Sequence, residues 1–505
     1  MFNWNFYIII NINKILFIKD KITFHKNSIQ ESEKKRRVNG GKRKGKEWKE
    51  MLIASIIILI MGVGRSININ RMTMIVFLYS AILSIHMTDM DIINSGIGIY
   101  NGLYIVSPLS QYIESYIYII AGVAMVVAQR TRSEYSLIVL LVTVGMSSII
   151  SSNEIISILI GIELQTLGLY VIATINRESE RATAAGLKYY LLGGLSSCII
   201  GLGLSMIYGI TGVTNIEEIN IIININKDIN IIVPIVLITV GLLFKIGAAP
   251  FHNWLADVID GVPTIISTWL AVVSKISIII LLYVLYNNIF ININNSIIII
   301  SIILSLIVGS LVGIVQYRIK RLLAYSSIAH AGYILIGIII NNNIGLTGLI
   351  FYIIQYTITI LNIFIIIIAY SEIVEGNKSI EYISQLKGIH KRNPLLAISL
   401  AICLFSSAGI PPFIGFFGKL NILYSAIDTG YYLITIIGIL TSIISGYYYI
   451  KIIKVMYFHP LKIKETKGIS ENSSIVISII TFIIVLFIIS PEDIYNSIQI
   501  ISNMV

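Results

Sequence analysis

Three lysines and one glutamate stand where charge is costly. Lys245, Lys275 and Lys419, and the carboxylate Glu163, lie within runs otherwise built mainly of isoleucine, leucine and valine. At the middle of a bilayer each charged side chain costs roughly 2.5–3.5 kcal/mol to insert, so four cost on the order of 10–14 kcal/mol. Amines and carboxylates held at variable distance inside a membrane can hand protons to one another, which is why such groups mark ion paths. Two plainer readings stand beside this one. A lysine near a helix end, as Lys245 is, can snorkel to the headgroups. A buried Glu–Lys pair can simply hold helices together, although such pairs rarely out-stabilise apolar packing. His330, beside Ser326 and Ser327, is a relay candidate or a satisfied packing histidine.

The sequence around two of the lysines is broken. Lys245 precedes Gly247-Ala248-Ala249-Pro250, and Lys419 follows Gly409-Ile410-Pro411-Pro412. Proline inside a span removes a backbone hydrogen bond, a loss tolerated only where protein or a water-filled cavity repairs it. Pro250, Pro411 and Pro412 are therefore expected to interrupt their helices at an ion path. The segments Lys245–Phe251 and Ser407–Phe413 echo each other, with Lys245 aligned to Ser407. That is the mark of a degenerate internal repeat.

The elements that must position these groups are membrane helices. The chain of 505 residues is 56% hydrophobic and only 12% charged, with a mean hydropathy of +0.87, and hydrocarbon admits helices because they satisfy their own backbone. Its two cysteines, Cys198 and Cys403, exclude a disulfide scaffold, a cysteine-rich zinc site and a four-thiolate iron–sulfur cluster. Isoleucine makes up about a quarter of the residues, and with abundant Asn, Tyr and Lys this reflects AT-rich coding. The apolar pattern predicts fourteen spans, near 51–64, 71–87, 110–128, 136–151, 154–175, 184–208, 230–250, 262–286, 296–315, 321–340, 345–370, 394–426, 430–456 and 474–490. Residues 88–109 are expected to form an exposed loop that includes a hairpin, and 491–505 a C-terminal tail.

The net charge of +10 belongs to one end of the chain. Residues 1–50 carry 13 Lys/Arg against 5 Asp/Glu. This arm is expected to be disordered and without function, or not part of the mature body, with Met51 opening the first span; the alternative, a targeting peptide, fits its alternating Asn and Ile poorly. In the rest of the chain, loops after odd-numbered spans carry 19 basic residues and loops after even-numbered spans carry one, Lys227. By the positive-inside rule the odd loops face cytoplasm or mitochondrial matrix. Lys188, near that face, is a candidate proton-uptake group or an ordinary positive-inside anchor. No GxGxxG strand–helix unit, P-loop or HExxH motif is found, so a proton path here needs a partner to drive it.

Several motifs in order carry a family resemblance. They are Glu163-Leu164-Gln165 with Leu169-Tyr170, Arg177 to Thr183 leading to Gly186-Leu187-Lys188-Tyr189, and Phe244-Lys245 through Pro250-Phe251-His252. Asp257-Val258 with Gly261 and Pro263, Lys320 through His330, and Gly409-Ile410-Pro411 with Gly418-Lys419 complete the set. Over about residues 51–490 the chain resembles the antiporter-like membrane subunits of respiratory complex I, the proton-pumping NADH:quinone oxidoreductase.

The resemblance implies an all-α integral membrane protein of about fourteen transmembrane helices. It implies two inverted five-helix repeats, about 136–286 and 296–456, with helices 7 and 12 broken. It also implies that Glu163 is the helix-five carboxylate, Lys245 and Lys419 the lysines of the broken helices, and Lys275 the bridging lysine, together a proton relay. NADH, FMN, iron–sulfur clusters and quinone would be bound by other subunits, with no cofactor and no metal in this chain. Partners would be other membrane-arm and accessory subunits and membrane lipids, with no nucleic acid. The expected location is the mitochondrial inner membrane, with a bacterial plasma membrane as the alternative. Two rival functions share these features: a subunit of a multisubunit cation/proton antiporter, and a structural spacer that conducts nothing.

Overall fold

The computed structural model describes residues 66–88, 96–128, 133–225, 231–290, 295–373, 380–459 and 469–503. The arm 1–50 and the first expected span, 51–64, lie outside the described residues.

Helices dominate because the apolar runs are long and rich in side chains that lipid or neighbouring helices can cover. Among the described residues ten helices are long and apolar enough to cross a membrane, or eleven if the bent pair Glu471–Leu486 and Pro491–Asn503 counts as one span. That pair turns by 88°, so residues 491–503, expected as a tail, form a helix. Two further apolar helices, Ile232–Ile246 and Pro394–Ala408, are shorter. They are the first halves of the two spans that the prolines were expected to break. The loop before Pro108 does contain a hairpin, Ile97–Ile99 paired antiparallel with Tyr104–Val106.

The two breaks have the same backbone. Helix Ile232–Ile246 ends at Gly247 with φ +78°, and Pro394–Ala408 ends at Gly409 with φ +85°. Both glycines occupy the left-handed region that a side chain would strain. A cis peptide follows each, at Ala249–Pro250 and at Pro411–Pro412. The chain then resumes as helix in Leu255–Gly261 and in Ile414–Asp428. Gly247 with Gly409, and Pro250 with Pro412, are the pairs that the sequence echo aligned.

Small residues let the helices approach closely, as membrane packing requires. A β-carbon at Gly309, in helix Ser296–Val315, would stand 2.5 Å from the backbone nitrogen of Ala329 in the neighbouring helix Ile319–Ile339. Helices Thr264–Ile289, Ile319–Ile339 and Asn343–Ile373 are covered along nearly their whole length. These central helices carry Lys275, His330 and a row of buried polar side chains.

Candidate proton path

Glu163 sits midway along helix Ile155–Ala173 and is partly buried. Lys245 lies in the last turn of helix Ile232–Ile246, a position that favours a cation because unpaired carbonyls gather there. Its Nζ donates to Ser197 Oγ at 2.9 Å, and Glu163 stands close enough to act on it electrostatically. No ion pair within 4 Å joins the two, so the plain Glu–Lys clamp is not what the structure builds. The carbonyls freed by the break are partly served from beyond it: Trp254 Nε1 donates to Phe244 O at 2.9 Å.

A small cavity opens beside Lys245. It is lined by Gln165, Tyr170, Tyr189, Ser196, Trp254 and Ser274, among others, and offers about 20 Å³, room for one water. Gln165 spans the distance from the Glu163 helix to the Lys275 helix. Its Nε2 donates to Ser274 O at 2.8 Å, and its Oε1 accepts from Ser277 Oγ at 2.8 Å. The hydroxyl of Tyr170, a residue that is 6% exposed, faces this region with no protein partner.

Lys275 is buried, 3% exposed, between two π-helical turns, Trp269–Val273 and Tyr286–Phe290. Such turns free carbonyls from the regular ladder. One of these, Ala271 O, accepts from Tyr356 OH at 2.8 Å. Lys275 Nζ donates to Ser327 Oγ at 3.2 Å. One helical turn further, His330 is buried, with Nδ1 2.7 Å from Tyr352 OH and Nε2 3.3 Å from Tyr449 OH. Lys275 and Lys419 both lie close enough to act electrostatically on the imidazole. Lys419 Nζ donates to Ala408 O at 2.8 Å, a carbonyl released by the Gly409–Pro412 break, and stands 5.5 Å from the centre of the Tyr333 ring.

The structure thus brings Lys275, His330 and Lys419 into one buried polar file, with Lys245 and Glu163 across the Gln165 bridge. Sequence reading found the charges and missed their partners. Ser197, Tyr352 and Tyr449 have types too common to stand out without a fold, and Ser327, marked in the sequence only as a neighbour of His330, turns out to be the partner of Lys275. Sequence reading also placed only Glu163 well inside a span. Glu114, near the start of helix Pro108–Val127, is fully buried too, because helix Ser66–Thr88 and the C-terminal helices cover that end.

Lys188 is paired at the basic face rather than free. It forms an ion pair with Asp257 on the second half of the first broken span, where Asp257 also meets Arg321 at 2.7 Å. Asp260 binds Arg318 at 2.5 Å and Arg321 at 3.3 Å, while Glu381 joins Arg318 to Arg181. Hydrogen bonds to Tyr382 and to Asp260 raise the Arg318 pKa further, so its charge is fixed. Lys320, counted among the basic residues of the loops after odd-numbered spans, is only 5% exposed, and its Nζ caps helix Leu255–Gly261 by donating to Val262 O at 2.7 Å. The basic residues that set topology therefore also clasp the half-helix that follows the Lys245 break.

The family model described as NADH:quinone oxidoreductase/Mrp antiporter, TM matches residues 152–445. The chain is 39% identical to NADH-ubiquinone oxidoreductase chain 2 of Rhizopus oryzae, over 90% of this chain and 99% of that one. It is 32% identical to NADH-quinone oxidoreductase subunit N of Paramagnetospirillum magneticum, over 88% of this chain and 94% of that one. Its fold is shared with a chain of respiratory complex I from Thermus thermophilus, with a TM-score of 0.77 at 24% identity over 90% of this chain and 99% of that chain. It is shared equally with a chain of the Mrp complex from Dietzia, with a TM-score of 0.81 at 19% identity over 90% and 95%.

Proposed function

The chain belongs to the NADH:quinone oxidoreductase/Mrp antiporter membrane family, and from that premise we propose that it is a core membrane-arm subunit of the proton-pumping NADH:ubiquinone oxidoreductase, complex I. Its relatives named chain 2 and subunit N support that branch. It is a multi-pass protein of the mitochondrial inner membrane, in keeping with the homologues from Rhizopus oryzae and Marchantia polymorpha. In this reading the body holds fourteen spans in two inverted repeats. NADH, FMN, the iron–sulfur clusters and quinone are held by other subunits.

The chain's own residues move protons. Quinone reduction in neighbouring subunits alters the distance between Glu163 and Lys245, and a change in a carboxylate's distance changes how firmly the amine holds its proton. The released proton crosses the Gln165 bridge to Lys275, passes by Ser327 and His330, and reaches Lys419. The observation that carries this reading is the buried file Lys275–Ser327–His330, with Lys419 at its end.

In the assembled complex, Glu163→Ala or Lys245→Ala should lower the proton-to-electron ratio while leaving NADH oxidation by artificial acceptors in the peripheral arm intact. Normal pumping in either assembled variant would defeat the proposal. The shared fold with an Mrp chain supports a second reading, a cation/proton antiporter subunit. A sodium-dependent proton gradient formed without NADH would select it.

A further inference from the structure

The helix Asn343–Ile373 carries a polar row that the relay does not use. Gln355, Thr359 and Asn362 recur at i, i+4 and i+7, which places them on one face, and all three are 0% exposed. Both amide atoms of Gln355, and Oδ1 of Asn362, have no protein partner. Buried amides are almost always satisfied by protein or by ordered water, because an unmade bond in an apolar surrounding is expensive. Three orphaned atoms on one helical face mark places for water.

The row has a direction. At one end Gln355 adjoins Lys419: a β-carbon on Gly418, the residue before that lysine, would stand 3.1 Å from Gln355 Oε1. In the middle Asn362 Nδ2 donates to Cys403 Sγ at 3.2 Å, on the antiparallel helix Pro394–Ala408. That helix presents its own buried row, Ser399, Cys403 and Ser406, again at i, i+4 and i+7. At the far end Arg392 Nη1 reaches Tyr370 OH at 3.5 Å. Arg392 belongs to the basic set that marks the cytoplasmic or matrix side. The two rows therefore line a seam from the basic surface to Lys419.

We propose that this seam is a water-binding proton-uptake branch, in which waters held by Asn362 and Gln355 connect the basic face directly to Lys419. It rests on the reading of Lys419 as a relay group. A hydronium arriving at Gln355 gives its proton to the lone pair of the neutral Lys419 amine. One O–H bond breaks, one N–H bond forms and water remains, so no oxidant or reductant is needed. The first half of the broken span carries this branch, whereas Lys275 and His330 approach Lys419 from other helices. Lys419 can then be reloaded without drawing on Lys275.

The test is a density map of the assembled complex at a resolution that shows water, paired with pumping measurements on Gln355→Leu and Asn362→Leu. We expect ordered water within hydrogen-bonding distance of the Gln355 amide and of Asn362 Oδ1. We expect each leucine variant to lose the part of the proton-to-electron ratio that Lys419→Ala loses, with Asn362→Asp restoring it. A dry seam, with both amides bonded directly to protein, overturns the proposal even if the variants fail to assemble. Leucine variants that pump normally, where Lys419→Ala does not, overturn the branch and leave the relay standing. If Lys419→Ala itself pumps normally, the relay reading fails and the branch with it.

Discussion

His330 owes its usefulness to the hydroxyls around it. Held by Tyr352 on one side and Tyr449 on the other, its ring keeps a fixed orientation between two lysines without an acidic partner. A neutral hydroxyl can donate or accept, so either tautomer is served, and the histidine can take a proton on one nitrogen and release it from the other. Removing one anchor should weaken that exchange, and removing both should abolish it. Tyr449→Phe is expected to slow pumping modestly. Tyr352→Phe, which breaks the shorter contact, should slow it more, and the double variant should approach His330→Ala in proton-to-electron ratio. If the double variant pumps as the parent does, His330 is a packing residue. Lys275 makes the same point: fully enclosed with Ser327 as its partner, it cannot be a snorkelling lysine.

At the scale of elements, the breaks do two things at once. Each ends a half-helix with a left-handed glycine, and each frees carbonyls that nearby side chains then use: Trp254 at the first, Lys419 at the second. Lys419 stands near its break with an acceptor that an intact helix would deny it, whereas Lys245 at the first break donates to Ser197 instead. The second break is packed tightly. A β-carbon on Gly415 would lie 1.7 Å from Ser406 O, a backbone atom that cannot yield cheaply. Gly415→Ala should therefore destabilise the subunit by about 1–3 kcal/mol or more, read as a lower thermal midpoint of the assembled complex. The clasp on the first break divides by burial. Asp260, whose side chain is 7% exposed, meets two partly exposed arginines that each keep a second carboxylate, so Asp260→Asn weakens charge-assisted bonds at a buried acceptor and should cost about 1.5–3 kcal/mol. The Lys188–Asp257 pair is about 40% exposed on both sides, and Lys188→Ala should cost only ~0–1 kcal/mol. Comparable thermal shifts for the two would refute the distinction.

For the whole molecule, the charge asymmetry and the packing agree that the basic loops share one end of the bundle. The ion network from Lys188 to Glu381 gathers residues from four separated segments at one end of the bundle, the end to which the odd-numbered loops were assigned. With Cys198 replaced by serine, a cysteine at Lys387 should react with an impermeant thiol reagent only from the matrix or cytoplasmic side, and one at Asp428 only from the opposite side. Labelling of both from one face would invert or scramble the topology, and with it the direction of the seam that ends at Lys419.

Composition and spacing by themselves settled that this is a helical membrane protein, that Lys275 and Lys419 are buried in it, and where two spans break. Each of these follows from the cost of charge in hydrocarbon and the fixed φ of proline, quantities that belong to single residues or short segments. The hairpin before Pro108, where Tyr104 pairs with Ile99, was legible for the same local reason. What only the tertiary structure decided is which polar groups meet. Gln165 bonding Ser274, Ser327 beneath Lys275 and Lys320 capping Val262 join positions 58 to 109 residues apart, or 52 for the lysine–serine pair. Serine, glutamine and tyrosine carry no charge that would mark them in an apolar run, and their worth comes from what folding sets beside them. Glu114 was hidden likewise, since a carboxylate two turns from a helix end is buried or solvated according to which neighbours cover it.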